Sequence, residues 1–114
     1  MATHTPNAIA HFDVLGPDPD ALHAFYAGVF SWQVDPQGPG YALVRTPGAS
    51  PDGAVVEAEH AGVIVGIVVE DLDATLAAAE AHGGRIVMPP TDNGWVVKGQ
   101  VADPAGNLLT LIRA

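Results

Sequence analysis

A strand, an aspartate, an amphipathic helix and a glycine follow one another twice in this chain of 114 residues, and that repetition restricts its architecture more than any other feature. The first copy starts at His11 as His-Phe-Asp-Val-Leu-Gly-Pro-Asp-Pro-Asp and continues through Leu22, Phe25, Tyr26, Val29 and Phe30. The second starts at Gly66 as Gly-Ile-Val-Val-Glu-Asp-Leu-Asp and continues through Leu72, Leu76 and Ala79 to Gly83. Superposing the two sets His11 opposite Gly66. One such unit cannot bury its apolar side alone, so two copies imply a pseudo-symmetric pair around a shared cleft. The length allows one domain and no more.

Taken in order, residues 1–7 read as a flexible end, residues 8–60 as a first module and residues 61–114 as a second. Ile9 to Leu15 is predicted to be a strand, with alternate residues on opposite faces. Ala10, Phe12 and Val14 make one side wholly apolar, suited to a covering helix. Ile9, His11, Asp13 and Leu15 make the other, where an imidazole and a carboxylate sit among aliphatics, as in the wall of a ligand site. Asp18 is a good N-cap and Pro19 suits the first helical position, predicting a helix from Pro19 to about Val29. Its stripe of Leu22, Phe25, Tyr26, Val29 and Phe30 is expected to pack into the core, with His23 outside it. Ser31 to Val34 reads as a strand, Asp35 to Gly40 as a turn, Tyr41 to Arg45 as a strand and Thr46 to Gly53 as a loop. Ala54 to Glu59 resumes extended structure, with Glu57 and Glu59 on one face.

In the second half, Val63 to Glu70 has the continuous apolar pattern of a strand buried on both faces. Asp71 caps the second helix, Leu72, Leu76 and Ala79 form its inner stripe, and Gly83 ends it. Ile86 to Met88 is then a strand, Pro89 to Gly94 a turn, Trp95 to Ala102 a strand, Asp103 to Asn107 a tight turn, and Leu108 to Ile112 the last strand. The sum is an α+β domain of two βαβββ modules, with helices on one side and a curved sheet on the other.

Thirteen acidic residues against four basic ones give a net charge of -9. That charge repels phosphate backbones and leaves no basic stripe, so nucleic acid is excluded as a partner. It favours a cationic ligand or simply keeps the surface solvated. Cysteine is absent, which removes disulfides and thiolate chemistry. The start of the chain lacks the pattern of a signal peptide, and no run of about 18 apolar residues occurs. The expectation is a cytoplasmic protein with no membrane partner.

The pattern resembles the vicinal oxygen chelate superfamily, which includes glyoxalase I, extradiol dioxygenases, and the fosfomycin and bleomycin resistance proteins. The residues that carry the resemblance are the His11 strand, Asp18, Phe25-Tyr26, Phe30-Ser31-Trp32 in place of the usual Phe-Gly-Trp, Asp71, Gly83-Gly84, and Asp103-Pro104-Ala105-Gly106-Asn107. The match runs from Ile9 to Ile112. It implies paired βαβββ modules forming an open cup-shaped sheet around a ligand, with the helices on the outer face, and very often a homodimer.

Metal-dependent members place histidines and glutamates on the first and last strands of each module. His11 fits the first of these positions. Gly66 and Thr110 stand at two others, so at least two ligands implied by the resemblance are missing, and Glu57 or Glu59 could fill the fourth-strand position. Three protein ligands are the usual minimum for a catalytic metal. No cofactor is therefore expected, and a divalent ion, if bound, would rest on His11 and Glu57.

Two functional readings stand side by side. In the first, the chain captures an organic small molecule, cationic or aromatic, as bleomycin-type resistance proteins do. Trp32, Tyr41 and Trp95 line the cup, Gly66 leaves room at its floor, and His11, Asp13, Glu57 and Thr110 meet polar groups. In the second, the chain is an enzyme. His11, oriented by Asp13, then serves as general acid or base for an isomerisation, epimerisation or cyclisation, or as metal ligand for lyase or dioxygenase chemistry.

Overall fold

The computed structural model describes residues 5–48 and 51–114. Ten elements follow in the order β1 (Ile9–Gly16), α1 (Pro19–Phe30), β2 (Gln33–Gly38), β3 (Tyr41–Arg45), β4 (Asp52–Glu57), β5 (Gly62–Val69), α2 (Leu72–Ala81), β6 (Arg85–Asp92), β7 (Val97–Ala102) and β8 (Leu108–Arg113). The fold is α+β. The chain divides into two compact units, one of residues 11–64 and one of residues 65–114 together with the residues before 11. Part of the expected flexible end, residues 1–4, lies outside the described residues. The remainder is tied to the second unit, because the Asn7 N–H donates to the Val68 carbonyl at 2.7 Å and the Val68 N–H donates to the Ala8 carbonyl at 3.1 Å.

In the first unit the strands run in the order β2-β3-β4-β1, with β1 parallel to β4 and the other pairs antiparallel. Helix α1 begins where the sequence places it. The Asp18 carboxylate accepts the Ala21 N–H at 3.2 Å and Pro19 occupies the first turn. It ends at Ser31, left-handed at φ 58°, whose N–H donates to the Ala27 carbonyl. The core joins Val14, Val44 and Val55 to Phe12, Leu22, Tyr26, Trp32 and Val34.

The helix buries less than its stripe predicts. Leu22 and Tyr26, one turn apart, meet the sheet, whereas Phe25, Val29 and Phe30 are 52%, 57% and 53% exposed. A single helix on a four-stranded sheet covers only a narrow line, and a stripe of five apolar residues is wider than that line.

The expected loop from Thr46 to Gly53 is shorter than read. Residues 49–50 lie outside the described residues, but β4 already starts at Asp52. Its carboxylate accepts the Thr46 N–H at 3.0 Å, while the Thr46 hydroxyl donates to the Pro51 carbonyl at 2.7 Å. Strand β2 is shifted the other way. It starts at Gln33 and runs through Pro36, which pairs with Ala42, so the expected turn from Asp35 shrinks to the end of that hairpin. Proline is tolerated there because β2 is bonded on one side only.

The second unit repeats the plan in the order β5-β8-β7-β6, with β5 parallel to β8. The Asp71 carboxylate accepts the Ala74 N–H at 3.0 Å, and the Thr75 hydroxyl donates to the Asp71 carbonyl. Leu72 and Leu76 are buried against Val69, Val101 and Leu111, with Ala79 packed alongside. After the helix, a Cβ on Gly84 would lie 2.5 Å from the Ala102 carbonyl oxygen, so the chain can pass there only as glycine.

Three expectations change in this unit. Strand β5 is covered only in its second half, and Val63 is 66% exposed. Strand β6 continues through Pro89 and Pro90 with two register shifts, so it replaces the expected turn. Trp95 precedes β7 and lies in the hairpin, where the Asn93 side chain accepts the N–H groups of Trp95 and Val96. The Asp103 turn is as expected. The Asn107 side-chain amide, with the backbone N–H groups of Asn107, Ala105 and Gly106, holds the Asp103 carboxyl below the usual carboxylate range. No helix among the described residues is long and apolar enough to cross a membrane.

Candidate functional site

Strand pairing fixes which side chains share a face. In the first unit, Phe12 and Val14 pack beneath α1, so His11, Asp13 and Leu15 project from the opposite, open face. Their partners on β4 are Asp52, Ala54 and Val56, and β3 sets Tyr41 beside Val56 and Leu43 beside Ala54. His11, Asp13 and Tyr41 therefore come together on one surface.

His11 Nε2 lies 2.9 Å from Asp13 Oδ1, with the two side chains 30% and 23% exposed. The carboxylate can only accept, so the ring donates from Nε2. In the neutral imidazole this leaves the Nδ1 lone pair free to take a proton or a hydrogen bond. Burial first, and the charge of Asp13 second, raise the Tyr41 phenol above its ordinary value of 10.0. The phenol therefore stays an O–H donor across the neutral range.

This shift has a measurable sign. A raised folded-state value gives stability that is fully present below the unfolded value and is lost as pH rises through the folded one. In a spectrophotometric titration, Tyr41 should ionise later than free tyrosine. Asp13→Asn should move it part of the way back, since burial remains. A Tyr41 transition indifferent to Asp13→Asn would mean that the two groups do not face each other.

Other sequence candidates lie elsewhere. Glu57 pairs with Gly16 and shares its face with Val55 and Val14, the side under α1. Its carboxylate lies over Gly40, where an added Cβ would be 2.9 Å from Oε1. His11 and Glu57 thus occupy opposite faces and do not form the pair expected for a metal. Glu59 lies beyond β4, bonded to His60 at 3.3 Å on an exposed turn. No group of three His, Cys, Asp or Glu residues able to hold a metal ion occurs among the described residues. Gly66 and Thr110, at two further positions that the resemblance implies for metal ligands, supply neither an imidazole nor a carboxylate.

Trp32 also departs from expectation. Its ring stacks on Tyr26 at 5.4 Å and 10° and lies 5.8 Å from Phe12, both on the α1 side, so it belongs to the core and not to the His11 face. His23, read as external, has its Nε2 buried without a hydrogen-bond partner among the described residues.

In the second unit, Val69, Val101 and Leu111 pack against α2. The intervening residues form the open face, where pairing aligns Gly66, Thr110 and Gln100 in one row. Thr110 is 5% exposed and accepts a hydrogen bond from Gln100 Nε2 at 3.2 Å. Gln100 was not singled out from the sequence, although the alternation of Val97, Gly99 and Val101 with Lys98 and Gln100 carries that signal. Trp95 is 81% exposed and borders a depression of about 290 Å³ with Val97 and Arg113. Those two share the α2 side of the sheet, so Trp95 does not line the row of Thr110.

Two βαβββ modules, each with a helix on one face of its sheet and polar groups on the other, define the class of this protein. The chain belongs to the Glyoxalase/Bleomycin resistance protein/Dioxygenase superfamily, whose family model matches residues 8–111. It is 30% identical over 128 residues to the anthracycline biosynthesis protein DnrV of Streptomyces peucetius, an alignment covering 93% of this chain and 46% of that protein. The chain thus spans about half the length of that relative.

Among solved structures it is similar to a superfamily member from Vibrio splendidus 12B01, with a TM-score of 0.73, 14% identity and 95% and 99% of the two chains covered. It is similar to methylmalonyl-CoA epimerase from Mycobacterium tuberculosis, with a TM-score of 0.73, 17% identity and coverage of 99% and 92%. It also matches the Mn(II)-bound glyoxalase from Novosphingobium aromaticivorans, with a TM-score of 0.75 and 20% identity, covering 95% of this chain and 39% of that one. At these identities the structures establish the fold alone.

Proposed function

We propose that this chain binds an organic small molecule, planar and aromatic, through His11, Asp13 and Tyr41 and without a metal ion. The 2.9 Å bond between His11 and Asp13 carries the reading. A divalent ion would compete for both groups, whereas an organic ligand can use them as they stand, accepting from the Tyr41 hydroxyl and donating to His11 Nδ1. The relative named for anthracycline biosynthesis supports a ligand of the anthracycline kind.

Calorimetric titration with 1,8-dihydroxyanthraquinone tests the reading. Saturable binding is expected, weakened about tenfold by His11→Ala, an amount typical of losing one or two good hydrogen bonds. Elemental analysis after dialysis against Mn²⁺, Ni²⁺ and Zn²⁺ is expected to find far less than one ion per chain. Stoichiometric metal that disappears in His11→Ala would overturn the proposal.

The fixed tautomer of His11 favours a second reading, metal-free acid–base chemistry. Here Nδ1 takes a proton from carbon next to a ligand carbonyl, the Tyr41 O–H hydrogen bonds to the resulting enolate oxygen, and the protonated ring, after exchanging that proton with solvent, returns one to carbon. Incorporation of solvent deuterium at that carbon, absent in His11→Ala, distinguishes turnover from capture.

A further inference from the structure

Against a net charge of -9, the open face of strands β5 to β8 holds, among the described residues, no carboxylate, one ammonium at Lys98 and, at the β6 edge where Arg85 pairs with Ala102, one guanidinium. The residues that matter are Gly66, Lys98, Gln100, Thr110 and Ile112. Lys98 is the chain's single lysine, half-buried on β7 and paired with Ile112. Two residues along the same strand face comes Gln100, and Gln100 pairs with Thr110. Within its own unit, Lys98 has no ion-pair partner among the described residues. An ammonium with no internal counter-charge is left available to an incoming anion.

The neighbouring groups favour the same kind of occupant. Gln100 uses one amide hydrogen on Thr110 and keeps the second. The Thr110 oxygen accepts that bond, so its own hydrogen remains to be donated. An ammonium, an amide N–H and a hydroxyl O–H are thus gathered on one face.

We infer that this face is an anion subsite, which takes the carboxylate or ionised phenol of an aromatic acid on Lys98 with Gln100 and Thr110 as hydrogen-bond donors. The inference rests on the reading of the chain as an organic-ligand-binding domain. It reverses the cationic ligand that the net charge suggests, because exposed charges are screened beyond about 8–10 Å at physiological salt, whereas a contact pair is not. A lysine that only lays its stem over the strands and keeps its head in water would show no anion preference.

Three anthraquinones matched in size separate these cases by calorimetry at neutral pH: the 2-carboxylate, the 2-carboxamide and the 2-aminomethyl derivative. The carboxylate is expected to bind about tenfold more tightly than the carboxamide. Lys98→Met should reduce that preference to about twofold or less while leaving carboxamide affinity in place. Lys98→Gln replaces it should the methionine variant lose its thermal transition. Equal binding of all three compounds, or a preference that survives both variants, overturns the subsite and leaves the organic-ligand reading intact. Binding of none overturns that reading and the subsite with it.

Discussion

Trp32→Ala is expected to lower folding stability by about 3 kcal/mol, in the range for truncating a large aromatic in a core. The indole lies in a cluster of rings, stacked on Tyr26 at 5.4 Å, 5.3 Å from Phe30 and 5.8 Å from Phe12. Removing it leaves a void under α1 that valines on the sheet cannot fill. Urea denaturation followed by circular dichroism reads the loss, and ligand affinity measured well below the transition should hardly change. Unchanged stability with lost affinity would instead place Trp32 on the ligand surface, where the sequence first put it.

In the second unit, Leu76→Ala should cost a similar amount, about 3 kcal/mol. Leu76 is 4% exposed and packs with Val69, Leu72, Val101 and Leu111. A Cβ added at Gly99 would sit 3.5 Å from its Cδ2, which shows how closely the helix lies on β7. Val29→Ala on α1 is the control. At 57% exposure, its loss should be within about 0.5 kcal/mol. Equal effects of the two substitutions would mean that α1 is covered by something other than solvent.

Local chemistry was legible where one residue decides it. Asp18 and Asp71 cap helices by accepting N–H groups three residues on, and Asp103 to Asn107 close a turn with their own side chains. The open face of β1 was readable too, since Phe12 and Val14 differ so sharply from His11 and Asp13. What escaped depends on register. Ala54, Val55 and Val56 are all apolar, so alternation cannot tell which face Glu57 shares. Only its pairing with Gly16 does. Trp32 suits either a core or a ligand wall, and the choice is made by Tyr26 reaching it from a helix. Lys98 and Gln100 alternate plainly with Val97, Gly99 and Val101, but a lysine and a glutamine on one strand face suit plain solvation as well as a ligand, and only the pairing of Gln100 with Thr110 sets them beside a second donor.

The prolines in β2 and β6 have a consequence for crowding. Each strand lies at one end of its sheet, and each lacks backbone donors, at Pro36 in β2 and at Pro89 and Pro90 in β6. An incoming strand would find its hydrogen-bonding partners interrupted and, along β6, displaced by register shifts. Concentrated solutions should accordingly resist growth of fibrils by strand addition at these two edges, even though the chain is rich in short valine-bearing segments.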